Sequence, residues 1–266
     1  MIKLRHLLIV LLAFLSISVS PADSSDDVQA RNAALPDYAR LHELVGNKET
    51  PILWLFVGDS ITHGCLHTHG YRSFPEHWME IVKWEIMPVR GVRRTNDIVI
   101  NTAVSGETAA GFLSHAAWRL QQFRPHVVFI NFGINDGTRG RSLDDFRADL
   151  TQIITLVRAQ GAIPVLQTPG LTLKAEPYRP DYAAAVRETA EDQQVLLVDH
   201  TAAWEDYAGT PGASATLPRQ AVPAPAELMN DNLHPNGFGH RLMARTLAQS
   251  LGLTPGHSPT LQLPLR

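Results

Sequence analysis

Pro51-Ile52-Leu53-Trp54-Leu55-Phe56-Val57-Gly58-Asp59-Ser60 is the stretch that decides the fold. Six apolar residues in succession, opened by Pro and stopped by Gly, suit a strand buried on both faces. The pattern recurs outward from there. Asp97-Ile98-Val99-Ile100-Asn101, Val127-Val128-Phe129-Ile130, Ile163-Pro164-Val165-Leu166 and Val195-Leu196-Leu197-Val198 read as four further strands. Between them the apolar residues fall at helical spacing, over Phe74 to Ile86, Leu113 to Phe123, a stretch capped by Ser142 and ended by Gly161, and Tyr182 to Gln193. Phe238 to Leu251 closes the series. Strands separated by helices predict a three-layer α/β/α sandwich around a mostly parallel five-stranded sheet, because right-handed crossovers place the helices on both faces.

The 266 residues are 18% charged and 44% hydrophobic, ordinary for a folded chain with one substantial core. A formal net charge of −3 offers no basic field for nucleic acid. The single cysteine, Cys65, excludes an internal disulfide and a Cys-based zinc site, and reads as a small buried hydrophobe. Lys3 and Arg5, an apolar run from Leu7 to Val19 and small residues near Ala22 describe a signal peptide over residues 1–22. The run is shorter than the ~20 apolar residues a span needs, so no stable membrane insertion is expected after cleavage. Residues 23–50 open with Asp23, Ser24, Ser25, Asp26 and Asp27 and read as a solvated leader; residues 51–252 form the folded domain and 253–266 a Pro-punctuated tail.

In a parallel sheet, chemistry collects at the carboxyl ends of the strands. Three polar clusters stand just past strands and a fourth before the last helix: Gly58-Asp59-Ser60, Ser105-Gly106-Glu107, Gly133-Ile134-Asn135-Asp136 and Asp231-Asn232-Leu233-His234. In this order they resemble the SGNH (GDSL-type) hydrolase superfamily, with Ser60, Gly106, Asn135 and His234 matching its four blocks over residues 52–251. The resemblance implies a flavodoxin-like fold and an ester hydrolase. Ile61 stands where the family name has Leu.

The residue types suit that chemistry. A serine hydroxyl needs an adjacent base, which His234 supplies, and Asp231 three residues earlier can hold the other ring nitrogen. Asp231 has a second reading, as the cap of the last helix. An oxyanion would be met by the backbone N–H groups of Ser60 and Gly106 and by the Asn135 amide; Gly58 and Gly106 also suit plain turns. Asp59 and Asp136 are expected to orient their loops, and Asn101 to support the second strand. Glu107 and Thr108 are expected to cap the next helix with side chains at the pocket rim. Arg139 and Arg141 read as loop residues, or as partners of an anionic substrate.

His63, His67, His69, Arg72 and His77 crowd behind the nucleophile. Imidazole favours zinc and copper, but no acidic partner stands at a recognisable spacing, and no metal site is expected. His63, His67, His69 and Arg72 read as a polar wall contacting a hydroxyl-rich substrate, or equally as exposed loop residues. Trp54, Trp78, Trp84 and Trp118 fall on apolar faces and are expected in the core; Trp204 is ambiguous.

These readings converge on an exported serine esterase that removes short acyl groups, foremost acetyl, from carbohydrate hydroxyls. It requires no cofactor, works outside the cytoplasm and takes a glycan or small-molecule ester as its substrate partner, with no nucleic acid; oligomeric state is left open. The substrate class is what resemblance to carbohydrate esterases of the superfamily implies. A lipase, lysophospholipase or thioesterase on the same groups is one alternative, since fold does not fix substrate. A catalytically silent glycan- or metal-binding protein is another.

Overall fold

A computed structural model of the chain describes residues 25–64, 72–85, 94–173, 180–207 and 226–253. The signal-peptide reading, Cys65, His67, His69 and the tail from residue 254 lie outside them. Five strands, β1 (Leu53–Gly58), β2 (Ile98–Asn101), β3 (Val127–Asn131), β4 (Ile163–Gln167) and β5 (Leu196–Val198), form one sheet in the order β2-β1-β3-β4-β5. Every pairing is parallel, and Gly58, Asn131 and Gln167 stand side by side at the carboxyl ends.

Alternate side chains of each strand enter different layers. Trp54, Phe56, Phe129 and Val165 pack with Phe74, Trp78 and Met243 on one face. Leu55, Val57, Val128 and Leu166 pack with Phe112, Ile153 and Val186 on the other. The helices are α1 (Ser25–Ala33), α2 (Pro36–Gly46), α3 (Ser60–His63), α4 (Phe74–Glu80), α5 (Ala109–Ser114), α6 (Ala116–Arg119), α7 (Ile134–Thr138), α8 (Leu143–Ala159), α9 (Pro180–Asp192), α10 (His200–Tyr207) and α11 (Gly237–Ser250). The three-layer sandwich is the expected one, with a sheet parallel throughout.

The solvated-leader reading of residues 23–50 does not hold for its described part. Val28, Leu41 and Val45 are buried, and α1 lies against β5. There the Asn32 amide donates to the Leu197 carbonyl (2.8 Å) and the Ser250 carbonyl (2.9 Å), while its oxygen accepts from Leu197 N–H (2.9 Å). A buried asparagine does work that an apolar residue would have advertised.

Other differences are local. The helix expected over Leu113 to Phe123 is broken into α5, α6 and a 3₁₀ turn at Gln121–Phe123. The helix after Phe74 gives way to a π turn at Ile81–Glu85. Trp54, Trp78 and Trp204 are buried, whereas Trp118 is 54% exposed, since α6 is too short to turn it inward. The side chain of Trp84 is outside the described set. Asp97 is an anchor beside the strand: it accepts from Ile52 N–H and Trp54 Nε1–H (2.9 Å each) and pairs with buried Arg94 at 2.7 Å.

Candidate active site

Gly58-Asp59-Ser60 is shaped by close approach. A Cβ on Gly58 would collide with Thr62 Oγ1 and come within 2.7 Å of the Asn131 carbonyl, so only glycine lets β1 turn directly into α3. Asp59 caps that helix, its Oδ1 accepting from Ile61 N–H at 3.0 Å. Ser60 is thereby its first residue, 6% exposed.

His234 reaches Ser60 from a turn near the carboxyl terminus. The Met229–Pro235 bridge and the bond from Asn230 N–H to the His234 carbonyl (2.9 Å) close that turn. Asp231 Oδ1 accepts from the N–H groups of Leu233 and His234, both at 2.7 Å, which folds the carboxylate back over its own segment. His234 Nδ1 then lies 2.9 Å from Asp231 Oδ2, and His234 Nε2 lies 3.0 Å from Ser60 Oγ. A carboxylate only accepts, so Nδ1 carries the hydrogen and Nε2 is left to accept from the hydroxyl. Burial pushes the Asp231 carboxyl up, but the two backbone donors and the imidazole outweigh it and hold it below its ordinary value. The last helix is capped by Asn236, which accepts from Phe238 N–H (2.9 Å) and Gly239 N–H (3.1 Å). The capping reading of Asp231 is thus replaced: its oxygens serve the turn and the imidazole.

The second and third clusters meet at the Asn135 amide. Asn135 Nδ2 donates to the Glu107 carbonyl (3.1 Å) and to Asp59 Oδ2 (3.4 Å), bridging both neighbouring loops. Gly106 has φ +80°, the left-handed region, inside the turn closed from Glu107 N–H to the Val104 carbonyl at 3.1 Å. Val104 N–H donates to the Gly58 carbonyl (3.1 Å), seating that turn beside the nucleophile strand. Asp136 accepts from Gly133 N–H (3.1 Å) and Ala109 N–H (2.9 Å), the loop-orienting part expected of it. Desolvation lifts Asp59 to about 7 and Asp136 to about 6.

Around this centre, Asn101 Nδ2 donates to the Thr62 carbonyl (2.8 Å), tying β2 to α3. Thr108 caps α5 by accepting from Gly111 N–H (3.1 Å). Glu107 is not at the rim: its carboxylate turns inward onto Arg119 at 2.6 Å, because that cation is buried and needs a counter-ion. Arg139 donates to the Gly106 carbonyl (2.6 Å), and Arg141 forms a two-point pair with Asp149 (2.9 and 3.0 Å).

The four-residue wall is described only in part. His63 Nδ1 lies 3.0 Å from Ser105 Oγ, and Arg72 pairs with Glu80 at 2.8 Å. His77 is held down to about 4 by burial, reinforced by Arg241 and Arg72. Among the described residues, no group of three or more His, Cys, Asp and Glu side chains is gathered to hold a metal. Arg119 escaped the sequence reading, whereas Arg139, read as a loop residue or an anion partner, is bonded to the Gly106 carbonyl. Arg119 had a signal: with Phe112 and Ala116 it falls on a buried helical stripe, where a lone cation demands a partner.

A profile of the GDSL-like lipase/acylhydrolase family matches residues 56–242, which contain all four clusters. The chain belongs to that family. This GDSL-like chain is an ester hydrolase of the SGNH type. An acetylxylan esterase of Geobacillus stearothermophilus is 26% identical over 220 residues, covering 74% of this chain and 93% of the relative. An arylesterase of Vibrio mimicus is 26% identical over 203 residues, 74% and 86% of the two chains. A stretch of 117 residues, 42% of this chain, is 32% identical to an uncharacterized protein of Mycoplasma pneumoniae but spans only 12% of it. In three dimensions, the GDSL-like chain superimposes on the Geobacillus acetylxylan esterase Axe2 with a TM-score of 0.60 at 23% identity, covering 79% of this chain and all of Axe2. Among the described residues, no helix is long and apolar enough to cross a membrane.

Proposed function

We propose that the chain is an exported serine esterase that hydrolyses short-chain O-acyl esters, foremost O-acetyl, on carbohydrate hydroxyls through an acyl-enzyme at Ser60. The observation that carries this reading is the relay from Asp231 to His234 to Ser60, at 2.9 and 3.0 Å. Ser60 Oγ attacks the ester carbonyl while His234 Nε2 accepts its proton, and Asp231 stabilises the imidazolium. The carbonyl oxygen, now negative, is met by the N–H groups of Ser60 and Gly106 and by the Asn135 amide. Collapse of the adduct breaks the bond to the alcohol, which leaves with the proton from His234. Water, deprotonated by the same imidazole, attacks the acyl-enzyme, releasing the acid and restoring Ser60.

The carbohydrate class rests on the acetylxylan esterase relative and on the polar residues His63 and Ser105 beside the nucleophile. Export rests on the basic start and apolar run of residues 1–22, and N-terminal sequencing of the secreted product tests it. A longer-acyl or thioester substrate is favoured by one relative, the Escherichia coli thioesterase 1/protease 1/lysophospholipase L1, 24% identical over 74% of this chain. Acetylated xylo-oligosaccharides and a series of acetyl to decanoyl esters, assayed with wild type and Ser60→Ala, separate the two. Efficiency falling with acyl length, and lost in Ser60→Ala, is expected. Rising efficiency toward decanoyl overturns the carbohydrate assignment.

A further inference from the structure

The loop of residues 102–108, which carries Gly106, is fastened at both ends to one guanidinium. Arg119, 1% exposed, donates through Nη1 to Glu107 Oε2 (2.6 Å) and through Nε to the Thr102 carbonyl (3.0 Å). Thr102 Oγ1 returns a bond to the Arg119 carbonyl at 2.8 Å. The guanidinium lies over the Phe112 ring, 5.0 Å from its centroid, so packing holds its plane as well. The path continues beyond the ion pair. The Glu107 carbonyl accepts the Asn135 amide at 3.1 Å, and the neighbouring Gly106 carbonyl accepts from Arg139 at 2.6 Å.

Stability alone is a poor reason for this arrangement. A buried ion pair is often replaceable by apolar residues of similar volume at no net cost. The stripe of Phe112, Ala116 and Leu120 beside Arg119 would accept methionine. What an apolar residue cannot do is hold a carboxylate one residue from Gly106 and so fix the carbonyl that holds Asn135.

We propose that Arg119 is a positioning residue for the reaction at Ser60: through Glu107 it sets the Gly106 N–H and the Asn135 amide at their places around the oxyanion. The inference rests on the reading of those two groups as oxyanion donors. Misplacement by about 1 Å costs on the order of 100-fold in rate. The effect belongs to kcat, because the donors meet charge that develops only in the transition state.

The test compares wild type, Arg119→Met, Arg119→Lys and Glu107→Gln in the full-length protein. Arg119→Met should lower kcat on an acetyl ester by about 10- to 100-fold with KM within about threefold. Arg119→Lys keeps the charge without the fork and should recover part of the loss. Affinity for an alkylboronic acid, which forms a tetrahedral adduct on the serine, should fall by the same factor as kcat/KM, while product acetate binds unchanged. Deuterium exchange of peptides spanning 102–109 should quicken in Arg119→Met and Glu107→Gln while β1, β3 and β4 stay protected; this readout needs no turnover. Wild-type kcat with unchanged exchange overturns the proposal. So does exchange that quickens throughout the sheet, with boronic acid and acetate weakened alike, which marks a merely structural role. If Arg119→Met does not fold, Glu107→Gln, which keeps size and shape, decides by the same criteria. An active Ser60→Ala protein is a separate failure, of the Ser60 reading, and the exchange arm still judges the clamp.

Discussion

His234 Nε2 stands 3.0 Å from Ser60 Oγ across 174 positions of chain. The turn that delivers the imidazole rests on Asp231 and the strand end that delivers the hydroxyl rests on Gly58, so neither group depends on the other for its place. Ser60→Ala and His234→Ala are therefore expected to keep the wild-type Tm and circular dichroism while losing on the order of 10⁵ to 10⁶ in kcat. Either variant retaining a tenth of wild-type turnover would refute the proposed relay.

Asp231 has two duties, the turn and the imidazole. Asp231→Asn keeps an oxygen for the N–H groups of Leu233 and His234 but no longer carries the charge opposite Nδ1. The expected result is a kcat loss of about 10² to 10⁴, smaller than that of Ser60→Ala. The wild-type carboxyl titrates below the ordinary aspartate range. Its stabilisation is thus present above the unfolded value and fades as pH falls through the depressed one. Thermal melts of wild type and Asp231→Asn should stay apart at neutral pH and converge only in strong acid.

Asp59 carries the opposite sign. Desolvation raises its carboxyl from 3.8 to about 7, so the folded chain holds a proton that the unfolded chain has released. Its contribution is full below the unfolded value and is lost as pH rises through about 7. Asp136, raised to about 6 by desolvation, acts in the same sense. Asp59→Asn should flatten part of the fall in Tm between about pH 4 and pH 8. Parallel curves for the two proteins would show that Asp59 does not titrate in that window.

Asp97 serves only the fold. Its oxygens satisfy Arg94, Ile52 N–H and Trp54 Nε1–H in the dry start of β1. Asp97→Ala removes the counter-ion of Arg94, which keeps only the Asn47 and Thr50 carbonyls, and strands both donors. It is expected to cost about 3–5 kcal/mol in urea unfolding. At temperatures where it remains folded, its kcat should match wild type. A loss below 1 kcal/mol would mean water replaces the carboxylate there.

The strands were legible because each is a short apolar run closed by a glycine or a polar residue. Two buried faces impose that pattern on β1, β3, β4 and β5, while the edge strand β2 keeps it with Ile98 51% exposed. The candidate site was legible because Ser60, Gly106, Asn135 and His234 stand where strands end, and the structure brings their segments together. What escaped was polar residues placed in dry surroundings. Asn32 hides the burial of α1, since hydrophobic periodicity sees Val28 and nothing after it. Glu107 looked like a rim residue because its partner Arg119 lies twelve positions on. Trp118 looked like core because its spacing assumes one long helix, and the break at Ser114 to Ala116 redirects it. Asp231 was ambiguous until Asn236 proved to hold the cap.

Asn32 has a consequence for how the protein is handled. Its amide occupies the outward N–H and C=O of Leu197, the positions a sixth strand would use. It stands upstream of residues 56–242, the span by which the family is recognised. A chain begun after α1 but ahead of β1 would leave the outward edge of β5 open to strand addition from another molecule. Keeping α1, which the family signature does not include, is thus expected to guard the sheet edge against association, and light scattering of chains begun before and after α1 checks it.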